Sequence, residues 1–103
     1  MMLSNNALQL FKDIFKQTLD TILPLSSGKE DITGNDLLSK AHEVLQENKF
    51  YIDEMHISKD DLASFDQAIL KWYQKLLDHM GHYGYNWSTF KESYAGTIRE
   101  LLY

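Results

Sequence analysis

Residues 57–80 read ISKDDLASFDQAILKWYQKLLDHM. The apolar members Leu62, Phe65, Ile69, Trp72, Leu76 and Met80 recur in steps of three and four. That rhythm matches a 3.6-residue turn and puts all six on one face of a helix. The opening has a helix start of its own. Ile57 precedes Ser58, and Leu62 follows four residues after the serine. The hydroxyl can accept from a free N–H of the first turn, while the flanking apolar pair closes over it. Asp61, three residues after the cap, suits the positive end of the helix dipole.

Working outward, the same signature appears twice more, at Leu3-Ser4 with Leu8 and at Ile32-Thr33 with Leu37, where Asp36 repeats the acid. A fourth start is expected at Asn86, with Tyr85 and Phe90 as the flanking pair. Behind each start the spacing stays helical: Leu8, Phe11, Ile14, Phe15, Leu19, Ile22; then Leu37, Leu38, Ala41, Leu45; then, last in the chain, Trp87, Phe90, Tyr94, Ile98, Leu101. Alternation of the strand type persists nowhere. Pro24 and the segment 25–34, with Ser26, Ser27 and Gly28, separate the first two helices, and the third is expected to end near Gly81 or Gly84. Residues 48–56 read either as an extension of the second helix or as a separate turn, because Phe50, Tyr51, Ile52 and Met55 are too apolar for a plain loop. The expectation is an all-α chain, one domain over residues 1–103, folded as a four-helix up-down bundle with short connections. Leu10 and Ile14 widen the apolar face of the first helix, which is explained either by burial within one bundle or by dimerisation.

Charge is unevenly placed. Residues 1–27 sum to zero, residues 28–66 carry four lysines against ten acids, for −6, and residues 67–103 sum to +1. Such a surface disfavours nucleic acid and anionic lipid and attracts basic partners; it also serves simply as a solvated face. No apolar run is long enough to span a bilayer. Met1 to Phe11 has neither a basic leader nor an unbroken apolar stretch, so no secretory signal is expected. The absence of cysteine removes disulfides, thiolate metal sites and cysteine nucleophiles, and suits a reducing, cytoplasmic setting.

Catalytic patterns are missing. His79 and His82, like Asp53 and His56, have the three-residue spacing of paired ligands, but a zinc site needs three or four converging groups. The serines sit where caps are needed, and no nucleophile elbow or phosphate-cradling loop is present. Neighbours on a helix diverge by about 100°, so Asp60 and Asp61 do not share a site. The expectation is a non-enzyme with no cofactor.

Binding is the remaining reading. Residues 79–87, HMGHYGYNW, combine two glycines with Tyr83, Tyr85 and Trp87, residue types that contact surfaces use; the alternative folds those rings inward to cap the end of the bundle. Tyr51 beside Asp53 and Glu54 makes a second candidate. Together with Asp60 and Asp61, these residues are expected to form a docking face for a basic protein. In size, acidity and helix content the chain resembles the small bacterial immunity proteins that protect a toxin producer from its own nuclease, of the colicin and contact-dependent inhibition types. That resemblance implies a toxin domain as partner. The colicin-type contact helix carries a paired Tyr-Tyr followed by proline. Here the nearest stretch is Phe50-Tyr51 followed by Ile52, so no family contact residue carries over. A regulatory adaptor or chaperone-like protein is the alternative function.

Overall fold

Three hydroxyls start three helices where their spacing predicts. The Oγ of Ser4 accepts from the Ala7 amide at 3.2 Å, Thr33 from Asp36 at 3.1 Å and Ser58 from Asp61 at 3.1 Å. The computed structural model describes residues 3–23, 32–85 and 87–103, and the regular structure among them is entirely helical. The elements are α1 (Asn5–Ile22), α2 (Gly34–Glu47), α3 (Lys49–Glu54), α4 (Lys59–Ala63), α5 (Phe65–Tyr83), α6 (Trp87–Phe90) and α7 (Tyr94–Leu102). Pro24 and the predicted start at Asn86 lie outside the described residues.

Two of the predicted helices are each divided in two. The third breaks at Ser64 into α4 and α5, and the fourth breaks after Phe90 into α6 and α7. A further break at Asn48 separates α2 from α3 and makes residues 49–54 a short helix of their own. All three breaks share a local cause. Ser64 Oγ donates to the Asp60 carbonyl at 3.3 Å, Asn48 Nδ2 to the Val44 carbonyl at 2.7 Å and Ser93 Oγ to the Phe90 carbonyl at 3.5 Å. Short polar side chains that take carbonyls of the preceding turn compete with the backbone and bend or end helices.

The core forms where α1 meets α2, α5 and α7. Ala7, Leu10, Phe11, Ile14, Phe15, Leu19 and Ile22 are all buried. At 100° per residue they sweep roughly half the circumference of α1. Burial within one chain therefore accounts for the wide apolar face, and no dimer is needed to cover it. Phe11 meets Phe65 edge-on with centroids 4.9 Å apart, and Phe15 meets Trp72 in the same manner at 6.0 Å. On α2 the buried stripe is Leu37, Ala41 and Val44, whereas Leu38 and Leu45 are only partly covered. Val44, absent from the predicted stripe, belongs to it because 37, 41 and 44 follow the four-then-three step. Buried polar groups are satisfied: Thr18 Oγ1 donates to the Ile14 carbonyl at 2.7 Å, and Asn48 Nδ2 also reaches Gln17 Oε1 at 3.3 Å.

Cross-helix pairs record how the long helices run. Along α1 and α5 the pairs Phe11–Phe65 and Phe15–Trp72 ascend together. Between α2 and α5 the order is opposite, His42 meeting Asp66 at 2.8 Å while Gly34 lies beside Leu70. The order is opposite again between α1 and α7, where the Tyr103 hydroxyl donates to Asp13 and the Tyr94 hydroxyl to Asp20. Lys12 Nζ sits 5.0 Å from the centroid of the Tyr103 ring.

These phenol–carboxylate bonds give α7 a pH dependence. Partial burial, then the hydrogen bond to Asp20 and its charge, push the Tyr94 hydroxyl from 10.0 up to about 12, and the same causes with Asp13 raise Tyr103. The folded-state value lies above the unfolded one, so the stabilisation is complete below pH 10.0 and is lost as pH rises toward about 12. Tyr94→Phe is expected to be less stable than the unaltered chain at neutral pH, with the gap closing across that alkaline window. Urea melts at the two ends of the window measure it.

Candidate docking site

The break at Asn48 turns the chain into α3, whose six residues include no buried one. Its inner side is held by Ile52 and, just beyond it, Met55, both packed against the core. Asn6 Nδ2 of α1 ties the end of the segment down by donating to the Met55 carbonyl at 3.3 Å. His56 then adopts a left-handed conformation, φ 55°, and the Ile57 amide bonds back to the Ile52 carbonyl at 3.1 Å. This is the helix-ending geometry in which glycine is usual. It takes His56 out of the helix, so Asp53 and His56 do not share a helical face as their spacing suggests.

The outer side of α3 presents Phe50, 66% exposed, and Tyr51, 54% exposed. Their rings meet edge-on with centroids 5.7 Å apart. Asp53 and Glu54 follow Phe50 by three and four residues, the spacing that shares a helix face. Asp53 and Glu54 are exposed, as is Asp60 on α4. Among the described residues, ion pairs form at Lys40–Glu43 and His42–Asp66, so none of these three carboxylates is neutralised by one. Glu47 adds a fourth exposed acid, while Lys49 and Lys59 reduce the local sum over residues 47–60 to −2. Charge here is modest, and the exposed ring pair is the more distinctive feature. Phe50 was not among the expected contact residues. Its signal was its place outside the inward pair Ile52 and Met55, which is readable only once α3 is known to be a separate helix.

Asp61 departs from expectation. It is buried, 7% exposed, and its carboxylate accepts from Ser4 Oγ at 2.9 Å. Ser4 caps α1, and Asp61 lies in the first turn of α4. The carboxylate thus faces the positive ends of two helices, and stability rather than contact explains it.

The 79–87 stretch divides. Gly81 does not end the helix; α5 runs on to Tyr83 and stops at Gly84, φ 71°, with the Tyr85 amide bonded to the Met80 carbonyl at 2.8 Å. Tyr83 and Tyr85 point outward, 59% and 40% exposed, with rings stacked at 6.0 Å. His79 and His82 pack on Tyr83 at 4.7 and 5.0 Å. Among the described residues, no group of three or more His, Asp or Glu gathers as metal ligands would. Trp87 corrects the expectation for this stretch: it is buried, 4% exposed, stacked on Tyr73 at 6.2 Å and edge-on to Phe90 at 5.9 Å. Its indole fills the core at the start of α6 and is not available to a partner.

The two exposed ring clusters do not form one face. α4 leads directly into the start of α5, whereas Tyr83 closes its far end, about 28 Å away at 1.5 Å per residue. Tyr51, Asp53, Glu54 and Asp60 thus belong to one end of the molecule, and Tyr83 and Tyr85 to the other. Among the described residues, no helix is long and apolar enough to cross a membrane. In comparisons with known proteins, the chain matches no protein-family model, no curated protein and no solved structure.

Proposed function

We propose that this chain is a non-catalytic binding protein of the immunity type, which docks α3 and the start of α4 onto a basic protein, such as a nuclease toxin domain, and occludes it. The exposed Phe50–Tyr51 ring pair, together with the exposed carboxylates of Asp53, Glu54 and Asp60, carries the reading. Rings with few rotamers supply affinity in contact surfaces, and negative charge supplies on-rate against a phosphate-binding surface. The reading places the protein in the cytoplasm, where a toxin producer needs protection, and requires neither cofactor, nucleic acid nor membrane. For the scaffold, we take the four long segments as an up-down bundle, supported by the alternating senses of the α1–α5, α2–α5 and α1–α7 pairs.

The test begins with co-purification of the product of the adjacent gene, since an inhibitor of this type is encoded beside its toxin. Asp53→Lys, Glu54→Lys and Asp60→Lys, combined in one variant, are expected to slow association with that partner by about 10–100-fold at low salt. Phe50→Ala with Tyr51→Ala is expected to weaken binding by about 30-fold or more through faster dissociation. Asp61 stays unaltered in both variants because it is structural. Unchanged association of the charge variant at low salt sinks the acidic-docking reading.

A further inference from the structure

We propose a second, separate site: the groove between the middle of α1 and α7 binds a phosphoryl group across Lys16 and Arg99. The seam between these helices is fastened at both ends by phenol–carboxylate bonds, Tyr103 to Asp13 and Tyr94 to Asp20. Because the two helices run in opposite senses, that register sets Lys16, between the two acids, opposite Arg99, between the two tyrosines. A groove of about 370 Å³ opens there, and both cations line it with Asp13, Ala95, Ile98 and Tyr103. Asp13, Lys16 and Asp20 follow one another at three and four residues, and Ala95, Arg99 and Tyr103 at four, so each set shares one helix face.

The pairing within the seam is the second observation. Asp13 and Asp20 both lie within helix reach of Lys16, yet each carboxylate is engaged by a tyrosine hydroxyl of α7. Among the described residues, neither Lys16 nor Arg99 takes part in an ion pair. Both residues are exposed, so a solute reaches them. Two cations facing each other across a seam repel, and an oxyanion placed between them turns the interaction favourable. Lys12, over the Tyr103 ring, adds a third positive charge at one end, against the single carboxylate of Asp13 in the walls. A guanidinium presents a planar fork to two oxygens of one group, and an ammonium adds a point charge beside it. A doubly charged phosphoryl group matches two cations better than a singly charged anion does. Ile98 is buried beneath the groove and Tyr103 is 53% exposed at its end, so an organic substituent on the phosphoryl group has an apolar wall to rest on. The site shares no residue with the docking surface and does not depend on that reading.

The test is an amide-resolved NMR titration of the unaltered chain, at a pH where the phosphoryl group is doubly charged. Phenyl phosphate and inorganic phosphate are added in separate arms, with ionic strength held constant by sodium chloride and benzenesulfonate as the singly charged control. The expected result is a saturating shift centred on Lys16 and residues 95–103, with half-saturation at least about tenfold lower for a phosphoryl compound than for benzenesulfonate. Tighter binding of phenyl phosphate than of inorganic phosphate assigns the site to a phosphomonoester, and equal binding assigns it to free phosphate. Lys16→Gln and Arg99→Gln are each expected to weaken binding by about tenfold, and to stay folded because both residues are exposed. Lys71→Gln, at an exposed lysine of α5 outside the groove, is expected to leave binding unchanged. Phosphate is also expected to raise the thermal midpoint of the parent and not that of the combined Lys16→Gln, Arg99→Gln variant. Non-saturating shifts, benzenesulfonate binding as tightly as the phosphoryl compounds, or equal losses in Lys71→Gln and Lys16→Gln overturn the proposal.

Discussion

Phe65→Ala is expected to destabilise the protein by about 3–5 kcal/mol, the range for deleting a buried phenyl ring. Phe65 is fully buried at the first residue of α5. Its ring meets Phe11 of α1 edge-on at 4.9 Å and His42 of α2 at 5.5 Å, so one side chain joins three helices. Truncation loses the transfer energy of the ring and leaves a cavity that three elements must close together. A domain of this length has about 5–15 kcal/mol of stability to lose, so the variant is expected to be partly unfolded at room temperature if the parent lies at the lower end. Phe50→Ala is the internal control: the same chemical change at a 66% exposed ring is expected to cost under about 0.5 kcal/mol. Urea melts of the two variants decide the matter. Equal midpoints would mean that Phe65 does not occupy the three-helix junction.

Asp61→Ala is expected to cost about 2–3 kcal/mol, although the residue looks like one more acid in an acidic stretch. Three losses coincide. The Ser4 hydroxyl loses its acceptor, the first turn of α4 loses one of its two carboxylates and keeps only the exposed Asp60, and the start of α1 loses the same charge across the contact. Each is worth about a kilocalorie by itself, and burial raises the cost of leaving a polar partner unmatched. Asp61→Asn keeps an acceptor for Ser4 and is expected to recover about half of the loss. Ser4→Ala combined with Asp61→Ala is expected to be less damaging than the sum of the two, because the singles remove one shared interaction. Asp60→Ala, exposed on the same helix, is expected to fall within about 0.5 kcal/mol of the parent. Chemical denaturation of this set separates a structural acid from a surface one. Additive effects of Ser4→Ala and Asp61→Ala would show that the two side chains act independently.

The same contrast separates features with local causes from those with tertiary ones. The caps at Ser4, Thr33 and Ser58 were readable because a cap needs only a hydroxyl and an amide three residues on, and the bonds form as expected. The stripes of α1 and α5 were readable because 3.6-residue periodicity is a property of the local chain. The breaks at Asn48, Ser64 and Ser93 also have local causes, yet hydrophobic spacing runs straight through them. Leu62 and Phe65 keep step across Ser64, so periodicity alone joins α4 to α5.

The candidate site was legible in part. Tyr51, Asp53, Glu54 and Asp60 are exposed as expected, and Tyr83 and Tyr85 turn outward. Asp61 and Trp87 are buried, and the two groups of rings end up on opposite ends of α5. Nothing within four residues of Asp61 announces Ser4, which is 57 positions away. Nothing beside Trp87 in the chain announces Tyr73, against which it stacks. The sequence by itself determined the helical class, the helix starts and the apolar faces, because each depends on groups within about a turn of one another. Which acid is a surface charge and which a buried brace, and which ring is an anchor and which a core residue, was decided by tertiary structure, because burial is conferred by partners that only folding brings near.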